Sequence, residues 1–195
     1  MPISNLSNGL RTGVCTSTNR PTTPYEGQMI YETDTDVVAV WNGTAWRNIA
    51  ATTATSGSVL QVIYGSTTTN TTESLAVFVD TTLTATITPQ STTSKILVMV
   101  CQNGLLKNNG NANNGLNLRL MRGATNIATF LTAGGYTSTA TDNIFGGVAV
   151  NVLDEPATIS ATTYKTQMQN QAVAANVQTQ FANDRSTIVL MEISA

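Results

Sequence analysis

The run KILVMVCQ, residues 95–102, decides the fold. In an extended chain successive side chains point to opposite faces, so Ile96, Val98 and Val100 share one face while Leu97, Met99 and Cys101 share the other. STIVLMEIS, residues 186–194, repeats the pattern through Ile188, Val189, Leu190 and Met191. Both strands are apolar on both sides. In a two-layer sandwich the domain itself covers only the inner face, so an apolar outer face needs a partner sheet, a covering loop or another subunit. Leu97, Met99, Val189 and Met191 are therefore candidates for a subunit interface, and closed cyclic symmetry is the usual way to complete one.

Outward from these two runs, short β patterns recur from Ser58 to Ala195: VLQVIY (59–64), ESLAVFVD (73–80), LTATIT (83–88), LNLRLMR (116–122), NIATFL (126–131), IFGGVAVNVLD (144–154), TTYKTQMQ (162–169) and NVQTQFA (176–182). Strands at this spacing predict an all-β head, an antiparallel sandwich of jelly-roll type. Composition agrees. Only 10% of the 195 residues are charged, against roughly 25% in soluble domains, and Thr, Ser, Asn and Gln replace the missing charge. β-branched side chains lose rotamer freedom in helices and pack well on pleated surfaces, so little helix is expected.

The same composition narrows function. Histidine is absent, which removes the commonest general base and the commonest metal ligand. A formal net charge of −2 leaves no basic surface for a phosphate backbone, and no nucleic-acid partner is expected. No segment approaches the ~20 apolar residues of a membrane span, and MPISNLSNGLRTG lacks the basic start and apolar stretch of a signal peptide. The chain is expected to fold in the cytosol where it is made, without membrane insertion. Cys15 and Cys101 read as free buried thiols rather than a disulfide.

Four segments follow along the chain. Residues 1–19 read as an extended arm, ordered only against something else. Residues 20–49 form a small attachment module: Met29 to Tyr31 as a strand, Asp34 to Asp36 as a turn, Val37 to Trp41 as a second strand, then Asn42-Gly43 as a two-residue hairpin turn into Thr44 to Ile49. So small a meander buries little by itself, which makes Tyr31, Val40, Trp41 and Trp46 candidate anchors against neighbouring subunits or a mounting protein. Residues 50–57 read as a linker, and residues 58–195 as the head.

Few residues suggest chemistry. Glu32, Asp34 and Asp36 have the oxygens for Ca²⁺ but not the spacing of an EF-hand loop, and a solvated turn is the better reading. The later acids, Glu73, Asp80, Asp142, Asp154, Glu155, Asp184 and Glu192, show no spacing that singles out a hydrolytic pair, so neither enzyme activity nor a cofactor is expected. Asn5-Leu-Ser7, Asn42-Gly-Thr44 and Asn70-Thr-Thr72 match the glycosylation acceptor pattern by chance in a Thr-rich chain. KNNGNANNG (107–115) and Gly134-Gly135-Tyr136 read as loop tips. Lys107, Asn108, Asn109, Asn111, Asn113, Asn114 and Tyr136 are thus candidate contacts for a surface glycan, with side chains that suit sugar recognition, and a merely solvated connection is the leading alternative.

RPTTPYEGQMIYETDTDVVAVWNGTAWRNI (20–49) closely resembles the RP…P.EGQ.IYETDT…..WNG.AW segment of many bacteriophage fibre and virion-associated proteins. SKILVMV, LRLMRGATNIA, the SATTYK stretch and STIVLMEIS look like the C-terminal heads of such fibres, which are similar to trimeric jelly rolls of tumour-necrosis-factor type. The resemblance implies a homotrimer in the virion, attached to capsid, neck or tail proteins by its N-terminal region and displaying a β head. It carries no catalytic residues over. The chain lacks the repeat shaft of a long tail fibre, which leaves a short fibre or a capsid decoration protein that stabilises the particle. A glycan-degrading tailspike is the rival from another class.

Overall fold

Fourteen β-strands and one short 3-10 turn make up the regular structure of the computed structural model, which describes residues 12–49, 56–110, 112–173 and 175–195. The chain is all-β, as its composition implies. It divides into two units, Met1–Thr53 and Ala54–Ala195.

In the first unit, β1 (Gly13–Cys15), β2 (Met29–Glu32), β3 (Val37–Trp41) and β4 (Trp46–Asn48) form one sheet in that order. The last three make the expected antiparallel meander. β1 was not expected. It lies parallel to β2, and Ser17 follows it by donating its backbone N–H and its hydroxyl to the Asp34 carboxylate at 2.8 and 2.6 Å. The end of the arm is thus ordered within its own unit; residues 1–11 lie outside the described residues. The Asn42-Gly43 turn also differs from expectation. The connection runs over residues 42–45, and of these only Gly43 has positive φ. Asn42 Oδ1 accepts from the N–H groups of Thr44 and Ala45 at 3.0 and 2.8 Å, so a side chain closes the loop where a type I′ turn would use two left-handed residues.

The head is a nested ribbon. Its first long strand, β5 (Val59–Thr67), pairs with its last, β14 (Ser186–Ile193), and β7 (Val79–Ile87) pairs with β12 (Thr162–Asn170). Inside these, β8 (Lys95–Lys107) pairs with β11 (Asn143–Asp154), and β9 (Asn114–Arg122) forms the innermost hairpin with β10 (Thr125–Thr137). Rolling this ribbon gives two sheets, β5-β14-β8-β11 and β7-β12-β9-β10, which is the strand order of a jelly roll. Two short strands, β6 (Thr71–Glu73) and β13 (Val177–Thr179), lengthen the first sheet beyond β14.

Most of the apolar runs became strands, with one clear exception. In ESLAVFVD only Glu73, Val79 and Asp80 are in strands, and residues 74–78 leave the sheet as a loop. NVQTQFA likewise stops at Thr179, where Gln180, Ala182 and Asn183 take positive φ around the 3-10 turn Phe181–Asn183.

Two apolar clusters fill the sandwich. One gathers Leu83, Ile87, Val98, Tyr164, Ile188 and Leu190, the other Leu105, Leu116, Leu118, Met168 and Val177. A buried polar chain also crosses the interior, from Thr81 through Thr166 to Gln102, with hydroxyl contacts of 2.5 and 2.8 Å. At Gly104 (φ 61) the edge of β8 changes partner, from β14 through Cys101 to β13 at Leu106. Only a residue without Cβ fits there, since a Cβ would lie 2.5 Å from Phe181 N.

The strand directions give the head two distinct ends. Gly57 and Ser58 pair with Ser194 at one end, alongside loops 88–94, 123–124 and 155–161. Loops 74–78 and 138–142 and the described residues of 108–113 and 171–176 gather at the other.

Candidate functional site

The pairing registers place the outward side chains of β5, β14, β8 and β11 in rows. One row runs Val62, Met191, Leu97, Leu153, and the next runs Tyr64, Val189, Met99, Asn151. All four predicted interface residues therefore meet on one face. They are half-buried by their own neighbours, while Val62, Tyr64 and Leu153 around them are 53%, 58% and 53% exposed. Those three were missed. The alternation in VLQVIY already held the signal for Val62 and Tyr64, but not which strand β5 would join. Cys101 also lies on this outer face, half-buried rather than buried as expected, and both Cys15 and Cys101 are free thiols.

The outer face of the second sheet is opposite in character. Asp80, Lys165, Gln167, Arg119, Gln169 and Asn117 form a hydrogen-bonded ladder across it. Lys165 Nζ and Gln167 Nε2 both donate to Asp80 at 2.6 Å, Arg119 donates to Gln167 Oε1, and Asn117 to Gln169. Arg119 also stacks 3.8 Å over the Phe78 ring. Burial works against the Asp80 carboxylate, but Lys165 and Gln167 outweigh it and hold its pKa below the usual range. One face is wet and internally satisfied; the other is apolar.

The loop end departs from the sequence reading in three places. Lys107 is fully buried, its ammonium donating to Thr137 Oγ1, Thr139 O and Thr141 O at 2.7, 3.2 and 3.1 Å, so it is no receptor contact. Asn114 is buried as well, accepting from Ala172 N at 3.0 Å. Gly134 to Tyr136 belong to the end of β10 and are not a separate loop tip. The remaining candidates are placed as follows. Tyr136 is half-exposed and its hydroxyl donates to Asn113 Oδ1 at 2.6 Å, joining the two predicted loops. Asn108 N donates to Asn176 O and Asn109 N to Asp142 Oδ1. Asn111 lies outside the described residues.

In the first unit the four anchors split between faces. Trp41 and Trp46 pair across β3 and β4 with ring centroids 5.7 Å apart and an edge-to-face angle of 62°. Register puts Tyr31 and Val40 on the opposite face, beside Val38 and Met29. The three acids there serve separate partners. Arg20 at 2.5 Å and Thr35 hold the buried Glu32 carboxyl below its usual pKa, Ser17 does the same for Asp34, and Asp36 accepts from the Tyr31 hydroxyl. Among the described residues no three carboxylates or thiols converge as a metal site.

The head's acids are likewise dispersed. Asp154 accepts from Arg122 at 2.8 Å and from the Tyr164 hydroxyl at 2.6 Å, where burial and that carboxylate push the phenol's pKa up. Glu155 pairs with Lys95, Glu73 caps Leu75 N, and Glu192 accepts from Gln61 and Gln90.

By strand order and layers, then, the head is a jelly-roll sandwich. No protein-family model and no curated protein matches the chain. Among solved structures it is similar to the VP2 subviral particle of infectious bursal disease virus, at 12% identity and a TM-score of 0.39 over 83% of this chain and 40% of that one. It is also similar to infectious bursal disease virus of the Gt strain, at 13% identity and a TM-score of 0.35 over 81% and 44%. The chain spans less than half the length of either.

Proposed function

We propose that this chain is a non-enzymatic structural protein of a bacteriophage virion: a short homotrimeric fibre mounted by its N-terminal unit and presenting its head to the host surface. The observation that carries the reading is the contrast between the two outer sheet faces. A sheet face lined by Val62, Tyr64, Leu97, Met99, Val189, Met191 and Leu153 is an assembly face in a protein whose opposite face is a polar ladder. A head joined to the virion at the Ser58 end presents loops 108–113 and 138–142 away from the attachment. The sequence segment 20–49, with its paired tryptophans, supports mounting on another virion protein. A capsid decoration protein would share the assembly face and differ only in the role of the loop end.

Light scattering on the purified chain at micromolar concentration tests this directly. The expected mass is three times the 20.6 kDa of the chain, and a clean monomer sinks the assembly. Adsorption of labelled protein to host cells then separates a fibre from a decoration protein, which would instead raise the temperature at which particles burst.

A further inference from the structure

The loop end contains an open depression of about 460 Å³, lined by Ser74, Leu75, Asn108, Val173, Ala175 and Asn176. Three loops meet there, and side-chain amides hold them in place. Asn170, fully buried, donates through Nδ2 to Ser74 O at 3.2 Å and to Ala175 O. Asn114, also fully buried, accepts from Ala172 N, Gln169 Nε2 donates to Ala76 O at 2.9 Å, and Asn108 N donates to Asn176 O at 3.0 Å. The walls are therefore set before a ligand arrives, which lowers the ordering cost of binding.

The lining chemistry selects the ligand class. Leu75 and Val173, 52% and 61% exposed, offer apolar surface, while Asn108, Asn176 and Ser74 offer neutral donors and acceptors. A small ring with C–H faces and hydroxyl edges fits both. Charge argues against an anion. Glu73 Oε1 sits 2.6 Å from Leu75 N and Asp142 Oδ1 sits 2.7 Å from Asn109 N, whereas the Lys107 ammonium is buried and bound by three oxygens. The lining's own polar groups, Asn108, Asn176 and Ser74, each carry both donor and acceptor capacity, and a hydroxyl group can serve either.

We propose that this depression binds the ring of an uncharged sugar, with Asn108 and Asn176 contacting its hydroxyls and Leu75 and Val173 its C–H face. As a receptor subsite it rests on the attachment reading above, but the binding itself is a property of the isolated chain. Saturation-transfer NMR on the full-length protein tests it, with glucose, galactose, mannose and N-acetylglucosamine as probes and N-acetylneuraminic acid as the anionic comparison. Transfer is expected to at least one neutral sugar and not to the anion. Asn108→Ala combined with Asn176→Ala should weaken that signal about tenfold, Val173→Asp should also weaken it, and Ile159→Ala, in an exposed loop at the opposite end of the head, should leave it unchanged, all at wild-type oligomer mass. No transfer to any neutral sugar, stronger transfer to the anion, or loss on Ile159→Ala with the double variant unaffected overturns the proposal. Cell adsorption keeps the two readings apart. Adsorption undiminished in a double variant that still binds sugar removes the pocket and spares attachment; sugar binding without adsorption keeps the pocket and removes attachment.

Discussion

Lys107 shows what a single residue can conceal. In the sequence it opens a run of Asn and Gly and looks like the foot of a solvated tip. In the fold it is fully buried with its three donors on Thr137, Thr139 and Thr141, and none of those acceptors is a carboxylate. Lysine is almost never buried this completely without partners. Its role is to fix the 138–142 loop, which in turn accepts Asn109 N through Asp142. Lys107→Met keeps most of the apolar stem and removes the donors, leaving two backbone carbonyls of that loop without their ammonium partner. The expected loss is roughly 2–3 kcal/mol, read as a lower urea midpoint by circular dichroism; an unchanged midpoint would show that the loop is held by other means. The burial was not legible because its cause lies thirty residues downstream, in a loop with no periodicity of its own. Tyr136 was legible as an exposed aromatic, though not its bond to Asn113.

Among the elements, β12 and β14 were readable from their period-two alternation almost to the residue, whereas β8 runs five residues past the KILVMVCQ run, to Lys107. What alternation does not encode is where a chain stops pairing. Leu75 and Val77 look like strand residues, yet their segment leaves the sheet because distant side chains satisfy its backbone: Glu73 caps Leu75 N, Asn170 takes Ser74 O, and Gln169 takes Ala76 O. Gly104 is the converse, a break inside a strand that looks continuous. Gly104→Ala places Cβ 2.5 Å from Phe181 N and 2.8 Å from Gln180 C, both backbone atoms that cannot swing away, at a φ of 61°. Gly123→Ala meets nothing within 4 Å at a similar φ of 55°. Gly104→Ala should therefore cost about 1–3 kcal/mol more than Gly123→Ala, measured by chemical denaturation, and equal losses would place the whole effect in φ.

For the molecule as a whole, the doubly apolar strands announced an apolar outer face, and four of its residues could be named from sequence because both sides of KILVMVCQ and of STIVLMEIS are apolar. The flanking strands could not, since partner choice in a jelly roll depends on how the ribbon rolls and not on any local pattern. The face is uniform enough that one charge near its centre should be decisive. Met99→Asp, between Val189 and Asn151, should yield a monomer with an intact head, whereas Gln167→Glu on the polar sheet should leave the mass unchanged. Light scattering with circular dichroism reads both. A trimer surviving Met99→Asp would move the interface elsewhere. Trp41 and Trp46, the chain's two tryptophans, both lie in the first unit, so intrinsic tryptophan fluorescence follows that unit alone while the head is perturbed.

The nesting of β5 with β14 has a consequence for how the protein is made. Ser58 and Ser194 are bonded across 136 positions of sequence, so β5, made before every other strand of the head, waits for β14, made after them. The meander of the first unit pairs neighbours only and can close during translation. Until β14 arrives, β5 has no partner along its length and β8 lacks one along an edge, and long-range pairings of this kind form slowly. The head therefore closes only once β14 has been made, and β14 is also the strand that brings Val189 and Met191 to the apolar outer face. One pairing event thus closes the first sheet and completes its apolar outer face together.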